Sequence, residues 1–154
     1  MRRHFEGGPM TESVDHSHIA SNGRAELSLD ELASLHGGLA HFMLEISDRA
    51  TRCYQAGKAQ NRRVARHQLG ELTKTLRLAI LTRPQYNDAI ELFIADDLPK
   101  VRTVIDSEDW DHFDEVWEGL TIAVNKSHEE FDHGYLVWRV PEDAPSDLDL
   151  SPRG

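Results

Sequence analysis

His128 is the residue of this sequence with the clearest potential to do chemistry. It belongs to a series of mostly apolar residues spaced three, four or seven apart, which predicts that it faces inward from a helix. An inward imidazole either forms hydrogen bonds, here with a backbone carbonyl, Asn125 or Tyr135, or coordinates a metal ion. The other members of the series are Trp110, Phe113, Trp117, Leu120, Val124 and Phe131.

His36 is the candidate for a second group at the same level. With 1.5 Å per residue along two antiparallel helices, His128 lies about 7 Å and His36 about 12 Å from the same end of a bundle. Inward groups at one level of neighbouring helices are typical of cofactor sites in bundles, and haem iron readily takes histidine. The two histidines therefore predict non-covalent haem b, and Gly37 and Gly38 would leave space for its flat macrocycle.

The predicted haem site has apolar walls and polar groups at its edge. Leu32, Leu39 and Val124 are expected to line the cavity around the two histidines. Arg83 and Tyr86 are expected at the same end of the bundle, where a guanidinium and a phenol hydroxyl can meet the haem propionates. In a haem-free protein the apolar side chains would have to fill this space themselves, so an open cavity distinguishes the two hypotheses.

Four amphipathic helices must position these residues. Each carries apolar residues on one face that has to be buried against another helix. Short connections between such helices predict an all-α fold, an antiparallel up-down-up-down four-helix bundle. The predicted helices cover 28–55, 59–81 and 84–105, and a fourth starts after a cap at Asp106 or Ser107 and closes at Gly134.

Individual residues mark where these helices begin, end and bend. Ser28 and Glu31 have the spacing of a capping box at the start of helix 1, and Gly57 is expected to end that helix. Pro99 lies inside helix 3 and is expected to kink it or split it in two around Leu98, because proline removes one backbone hydrogen bond.

The segments outside the helices complete a three-part organisation. Residues 1–25 are rich in Gly, Ser, His and charge and predict a disordered, flexible arm, residues 26–141 form the bundle, and residues 142–154 form an extended acidic tail. Between helix 4 and the tail lies a short apolar run that contains Trp138. We expect Trp138 to be buried along the bundle rather than to form an exposed contact patch.

The composition excludes several kinds of partner. The chain has 154 residues, with 27 Asp and Glu against 17 Lys and Arg and a formal net charge of -10, so its field repels nucleic acids and anionic membranes. Cys53 is the single cysteine, which excludes an intrachain disulfide and any C-x-x-C site. The N-terminal residues contain no apolar h-region, and no stretch approaches the roughly 20 apolar residues of a membrane span. We therefore expect a cytoplasmic protein.

The stretch 109–141 carries a pattern of aromatic, polar and glycine residues, namely Trp110, Phe113, Asn125, His128, Gly134, Tyr135, Leu136, Val137 and Pro141. In this pattern it resembles the last helix of cytochrome c-prime-like four-helix haem proteins. In that family the helix ends in C-x-x-C-H, followed by a Gly-aromatic-aliphatic segment and a proline. Here Val124 and Ser127 stand at the two cysteine positions, so the resemblance implies no covalent attachment of haem. It implies that His128 is the proximal ligand beside Asn125, with the second ligand at the start of helix 1.

Two other functions stay open. A haem-free interaction module would bind a protein partner, or a second copy as a homodimer, through the Trp138 segment or the kinked third helix. A di-metal carboxylate bundle is the third hypothesis, because Glu130 and His133 have the Glu-x-x-His spacing of such sites. The chain lacks the second Glu-x-x-His helix that those sites require. No residue is assigned a catalytic role, and the protein is not predicted to be an enzyme.

Overall fold

The computed structural model describes residues 19–21, 26–35, 37–140, 142–143, 145 and 147–152. The chain divides into two compact units, Met1–Gly37 and Gly38–Gly154. Most of the described residues are helical, which confirms the all-α class predicted from the sequence. No helix of this described part is long and apolar enough to cross a membrane.

The described residues of the first unit form a small hairpin and one short helix. Strands β1 (Ile19–Ser21) and β2 (Glu26–Ser28) pair antiparallel, and helix α1 (Leu29–Ser34) follows directly. The predicted capping box is confirmed, because the Ser28 N–H donates to Glu31 Oε2 at 2.8 Å and the Glu31 N–H donates to Ser28 Oγ at 3.2 Å. The pKa of Glu31 is lowered first by the bond from the Ser28 N–H and then by the Ser28 hydroxyl, which donates to Glu31 Oε2 at 2.9 Å. The strands were not predicted, since three residues are too few to establish an alternating pattern.

The prediction of one helix over 28–55 is wrong. Helix α1 ends at Ser34, and Gly37 and Gly38 lie outside any helix before α2 (Leu39–Lys58) begins. Each glycine costs a helix about 1 kcal/mol relative to alanine, so two in succession favour a break. At Gly38 a Cβ atom would also lie 2.7 Å from Nη2 of Arg83, so the glycine admits the guanidinium at the start of α2.

The second unit contains the other helices. The predicted split of the third helix at Pro99 is confirmed, because one helix ends at Asp96 and the next begins at Leu98. Pro99 then lies in a first helical turn, where its missing N–H needs no partner. The helices are α2 (Leu39–Lys58), α3 (Arg62–Thr82), α4 (Asn87–Asp96), α5 (Leu98–Asp106) and α6 (Phe113–Glu130), with a 3-10 turn at Pro84–Tyr86.

Two glycines that were expected to end helices do not do so. Gly57 is buried inside α2, where a Cβ atom would overlap the ring of Phe113, so the glycine is needed for close packing. The left-handed conformation after α2 falls on Gln60, with φ 56°. After α6 it falls on Asp132, with φ 59°, and not on Gly134. Helix α6 also starts later than predicted, at Phe113.

The core of the second unit lies between α2, α3, α5 and α6, in which α3 and α6 each contact both α2 and α5. Helices α2 and α3 form the most extensive of these contacts, and Cys53 donates from its thiol to the Ala65 carbonyl at 3.3 Å between them. The rings of Tyr54, Phe113 and Trp117 stack or tilt against one another at centroid distances of 5.4 to 5.8 Å. Among the described residues, the largest fully buried side chains are those of Phe113, Leu69, Ile105, Val101 and Cys53.

The acidic tail belongs to the second unit, and Leu148 and Leu150 are its described residues that pack against the core. Leu150 is only 8% exposed and belongs to the core. Asn61 caps α3 by accepting the Val64 N–H at its Oδ1, and its Nδ2 donates to the carbonyls of Leu150 at 3.1 Å and Ser151 at 3.0 Å. The net acidity of the tail gave no indication of this docking.

Candidate ligand-binding cavity

An apolar cavity of about 210 Å³ lies within the second unit, near the C-terminal end of α6. Apolar faces of α2, α3, α4 and α6 surround it, together with the segment 135–140 that follows α6. Carbon atoms make up nearly all of its surface. The lining residues are Leu39, Met43, Ile46, Ala50, Leu72, Leu76, Tyr86, Ala89, Ile90, Phe93, Leu120, Val124, Ser127, His128, Phe131, His133, Leu136 and Trp138.

His128 lines the cavity and is half-buried near the end of α6. Its Nδ1 lies 2.7 Å from the carbonyl oxygen of Leu136. Because a carbonyl can only accept, Nδ1 is the donor, and in the neutral ring Nε2 then carries a free lone pair. The predicted hydrogen bond to a backbone carbonyl is confirmed, and the same bond leaves the other nitrogen able to accept or to coordinate.

Asn125 holds the backbone of the segment 135–140. Its Nδ2 donates to the Trp138 carbonyl at 3.0 Å, and its Oδ1 accepts the Trp138 N–H at 2.7 Å. The Trp138 indole donates from Nε1 to Oγ of Ser47 on α2 at 3.0 Å, and its ring packs partly buried against the core. The predicted burial of Trp138 is therefore confirmed. Asn125, expected beside a cofactor, does not line the cavity and instead fixes part of its wall.

Tyr86 and His133 close one side of the cavity. The Tyr86 hydroxyl lies 3.3 Å from Nε2 of His133, and the rings of Tyr86 and Phe131 form a T-shaped contact at a centroid distance of 4.9 Å. On its other side, Nδ1 of His133 lies 3.4 Å from the Tyr135 hydroxyl. His133 is thus paired with two tyrosines, while Glu130, its partner in the di-metal hypothesis, is exposed. Within the described ranges, no three His, Cys, Asp or Glu side chains are grouped to hold a metal ion.

The structure brings together some of the residues predicted for the site. Leu39, Tyr86, Val124 and His128 all line the cavity. Arg83 does not, because its side chain is exposed and its Nη1 donates to the Thr82 carbonyl at 2.7 Å.

Two further predictions concern the first unit. Leu32, expected in the cavity wall, is 39% exposed and belongs to helix α1 of that unit. The prediction assumed one continuous helix over 28–55, in which Leu32 shares a face with Leu39. The break at Gly37 means that this helical spacing does not apply. His36, the predicted second ligand, lies outside the described residues.

The cavity and its histidine meet the requirements of haem b only in part. The donor fits, because Nε2 of His128 is the nitrogen available to a metal. The volume fits less well, since about 210 Å³ is below the roughly 300–1,000 Å³ of sites for drug-sized ligands. A macrocycle would therefore require the cavity to widen.

The sequence did not indicate that the segment 135–140 forms a wall. Its apolar character was visible, but its position depends on Asn125, a polar residue on the inward half of α6. An asparagine one turn before an inward histidine, followed by an apolar run, is the signal that could have identified this arrangement.

The chain was compared with known proteins. No protein-family model matches it, and neither a curated protein nor a solved structure gives a significant match.

Proposed function

We propose that the protein binds a small apolar molecule in the cavity beside His128. The observation that carries this proposal is an almost wholly apolar cavity of about 210 Å³. An apolar cavity of about 150 Å³ stays dry and accepts benzene, so this one has room for a single substituted ring. Burial of an apolar ligand against these side chains supplies the free energy of binding.

The fold that we propose around this cavity is an antiparallel four-helix bundle, in which α4 and α5 together take the place of one broken helix. Bonds between α2 and α3 support it, since Arg49 meets Gln68 and Cys53 meets Ala65, so residue numbers rise on one helix and fall on the other. Contacts of α5 with α3 and α6, and of α6 with α2, complete such an arrangement.

Calorimetric titration with toluene tests the binding proposal. We expect saturable binding at one toluene per chain. Replacing Ala89, which lines the cavity from α4, by leucine should weaken that binding more than tenfold because the larger side chain occupies the space. Ala95→Leu is the matched control, since Ala95 is exposed on the same helix and should leave the affinity unchanged. The proposal fails if toluene does not bind, or if the Ala89→Leu variant binds as well as the wild type.

Non-covalent haem b is a second candidate, and the hydrogen bond from His128 Nδ1 to the Leu136 carbonyl favours it. A histidine that ligates a metal usually donates its other ring N–H in this way. The resemblance of residues 109–141 to cytochrome c-prime-like proteins agrees with a proximal ligand at this position. Bound haem would supply redox or gas-binding chemistry at its iron, while His128 would fix its orientation.

Absorption spectra during haemin titration test this second candidate. We expect a Soret band that saturates at one haem per chain in the wild type and is lost in His128→Ala. Glu129→Ala is a suitable control, because Glu129 is the exposed neighbour of His128 in α6. A spectrum without a Soret band, or with one that the His128 variant retains, would exclude histidine-ligated haem.

A further inference from the structure

The polar atoms at the cavity wall define what a ligand must offer. Of the two histidines and the tyrosine in the lining, His133 and Tyr86 are bonded to each other, and His133 also meets Tyr135. His128 uses Nδ1 for the Leu136 carbonyl. Within the part of the chain that the structure describes, Nε2 of His128 is therefore the imidazole nitrogen of this wall that is left without a protein partner.

The hydrogen bond of Nδ1 decides whether Nε2 of His128 donates or accepts. Nδ1 must donate to the Leu136 carbonyl, so Nε2 of the neutral ring accepts. A ligand that matches it carries a hydrogen-bond donor, such as a hydroxyl. A ligand with a formal charge is disfavoured, because nearly all of the cavity surface is carbon and a buried charge without a partner is costly.

The remainder of the wall favours an aromatic ring. Tyr86, Phe93, Phe131 and Trp138 contribute rings to the lining. Aromatic side chains gain additional stabilisation from edge-to-face and offset contacts with another ring, which a saturated ligand does not provide. The volume of about 210 Å³ limits the ligand to a single ring with a small substituent.

We propose that the cavity selects neutral, single-ring phenols, with the ligand hydroxyl donating to Nε2 of His128. This inference rests on the proposed function of binding an apolar molecule and adds the polar group that gives specificity. Two observations support it. The cavity is apolar, and Nδ1 of His128 donates to the Leu136 carbonyl, which leaves Nε2 as an acceptor.

Phenol and toluene provide a matched pair of probes, because they have the same number of heavy atoms and differ in the hydroxyl. Both are titrated calorimetrically into the wild type, His128→Asn and His128→Gln. The asparagine amide can still donate to the Leu136 carbonyl but has no group at the position of Nε2, whereas the longer glutamine can place an acceptor there. We expect His128→Asn to weaken phenol about five- to tenfold, the effect of one net hydrogen bond, and to leave toluene unchanged. His128→Gln should retain more of the phenol affinity.

A second measurement needs no variant. In the wild type labelled with ¹⁵N at histidine, phenol should shift the Nε2 resonance of His128, and toluene should not. Circular dichroism of each variant verifies that its helices are intact before affinities are compared. If both probes bind but His128→Asn weakens them equally, or phenol leaves Nε2 unshifted, the phenol inference is wrong and the apolar binding function stands. If neither probe binds, both proposals are wrong.

Discussion

The side-chain amide of Asn125 is bonded to both backbone polar groups of Trp138, accepting its N–H at 2.7 Å and donating to its carbonyl at 3.0 Å. A side chain on a helix thus replaces the neighbouring strand that such a segment would otherwise pair with. Because the segment also contributes Leu136 and Trp138 to the cavity wall, the amide of Asn125 helps to hold that wall in place.

Replacing Asn125 by alanine should therefore destabilise the fold. The variant leaves two partly buried backbone groups of Trp138 without partners, which costs about 1–3 kcal/mol. Urea unfolding of the variant and the wild type measures this loss as the difference in their free energies of unfolding. Lys126→Ala, at the exposed neighbouring position, should change it by less than about 0.5 kcal/mol. Equal effects of the two changes would mean that the amide does not hold the segment.

Gly57 and Gly70 should respond in opposite directions to alanine. At Gly57 the new methyl would overlap the buried ring of Phe113, and overpacking costs typically about 1–3 kcal/mol. At Gly70, in α3, a Cβ atom meets nothing within 4 Å, so Gly70→Ala should stabilise by about 0.5–1 kcal/mol through helix propensity. Thermal and urea unfolding distinguish the two effects.

The smaller side chain of Phe113→Leu should relieve the overlap at residue 57. In a double-mutant cycle, the combination with Gly57→Ala should cost less than the sum of the two single changes. Additive costs would show that the methyl clashes with something other than the Phe113 ring.

Cys53 should be inert in the folded protein. Its thiol is fully buried, donates to the Ala65 carbonyl, and has a pKa raised chiefly by burial, so little of the reactive thiolate forms near neutral pH. We expect a disulfide reagent to label it only as fast as the protein opens, and to label it completely in denaturant. Rapid labelling of the folded chain would contradict the burial of the α2–α3 interface.

The pKa of His112 should lie above the ordinary value for histidine. Its Nδ1 lies 2.9 Å from Oδ1 of Asp109, and the pKa of His112 is raised first by this hydrogen bond and then by the charge of the carboxylate. Because the folded-state pKa is the higher one, the pair stabilises the fold below the unfolded pKa, and this contribution is lost as pH rises through the folded pKa. NMR titration should place His112 above about 6.5, and Asp109→Asn should lower it.

Local patterns in the sequence predicted much of the fold. The Ser28–Glu31 capping box, the break before Pro99 and the inward position of His128 all depend on residues within one or two helical turns of each other. The same periodicity placed Leu32 inward, yet Leu32 is 39% exposed, because the register does not continue across Gly37 and Gly38.

Other features depend on residues far apart in the sequence, and these were missed. Gly57 was predicted to end a helix, but it lies inside α2 because Phe113 packs against it. Asn125 looks like part of a cofactor motif until Trp138 folds back to it. In both positions the role of the residue depends on a partner that is distant in sequence and that no local spacing identifies. For this reason the cavity wall was only partly predicted.

The amide of Asn61 has a consequence for the order in which the chain folds. Its bond to the Leu150 carbonyl closes a loop of 89 residues, whereas its bond to the Val64 N–H spans only three. Closing a long loop costs more chain entropy than forming a local turn, so the turn between α2 and α3 forms early and the tail docks late. The tail should then also be the first segment to detach. Its amide hydrogens should exchange with solvent before those of α3, the helix that Asn61 caps.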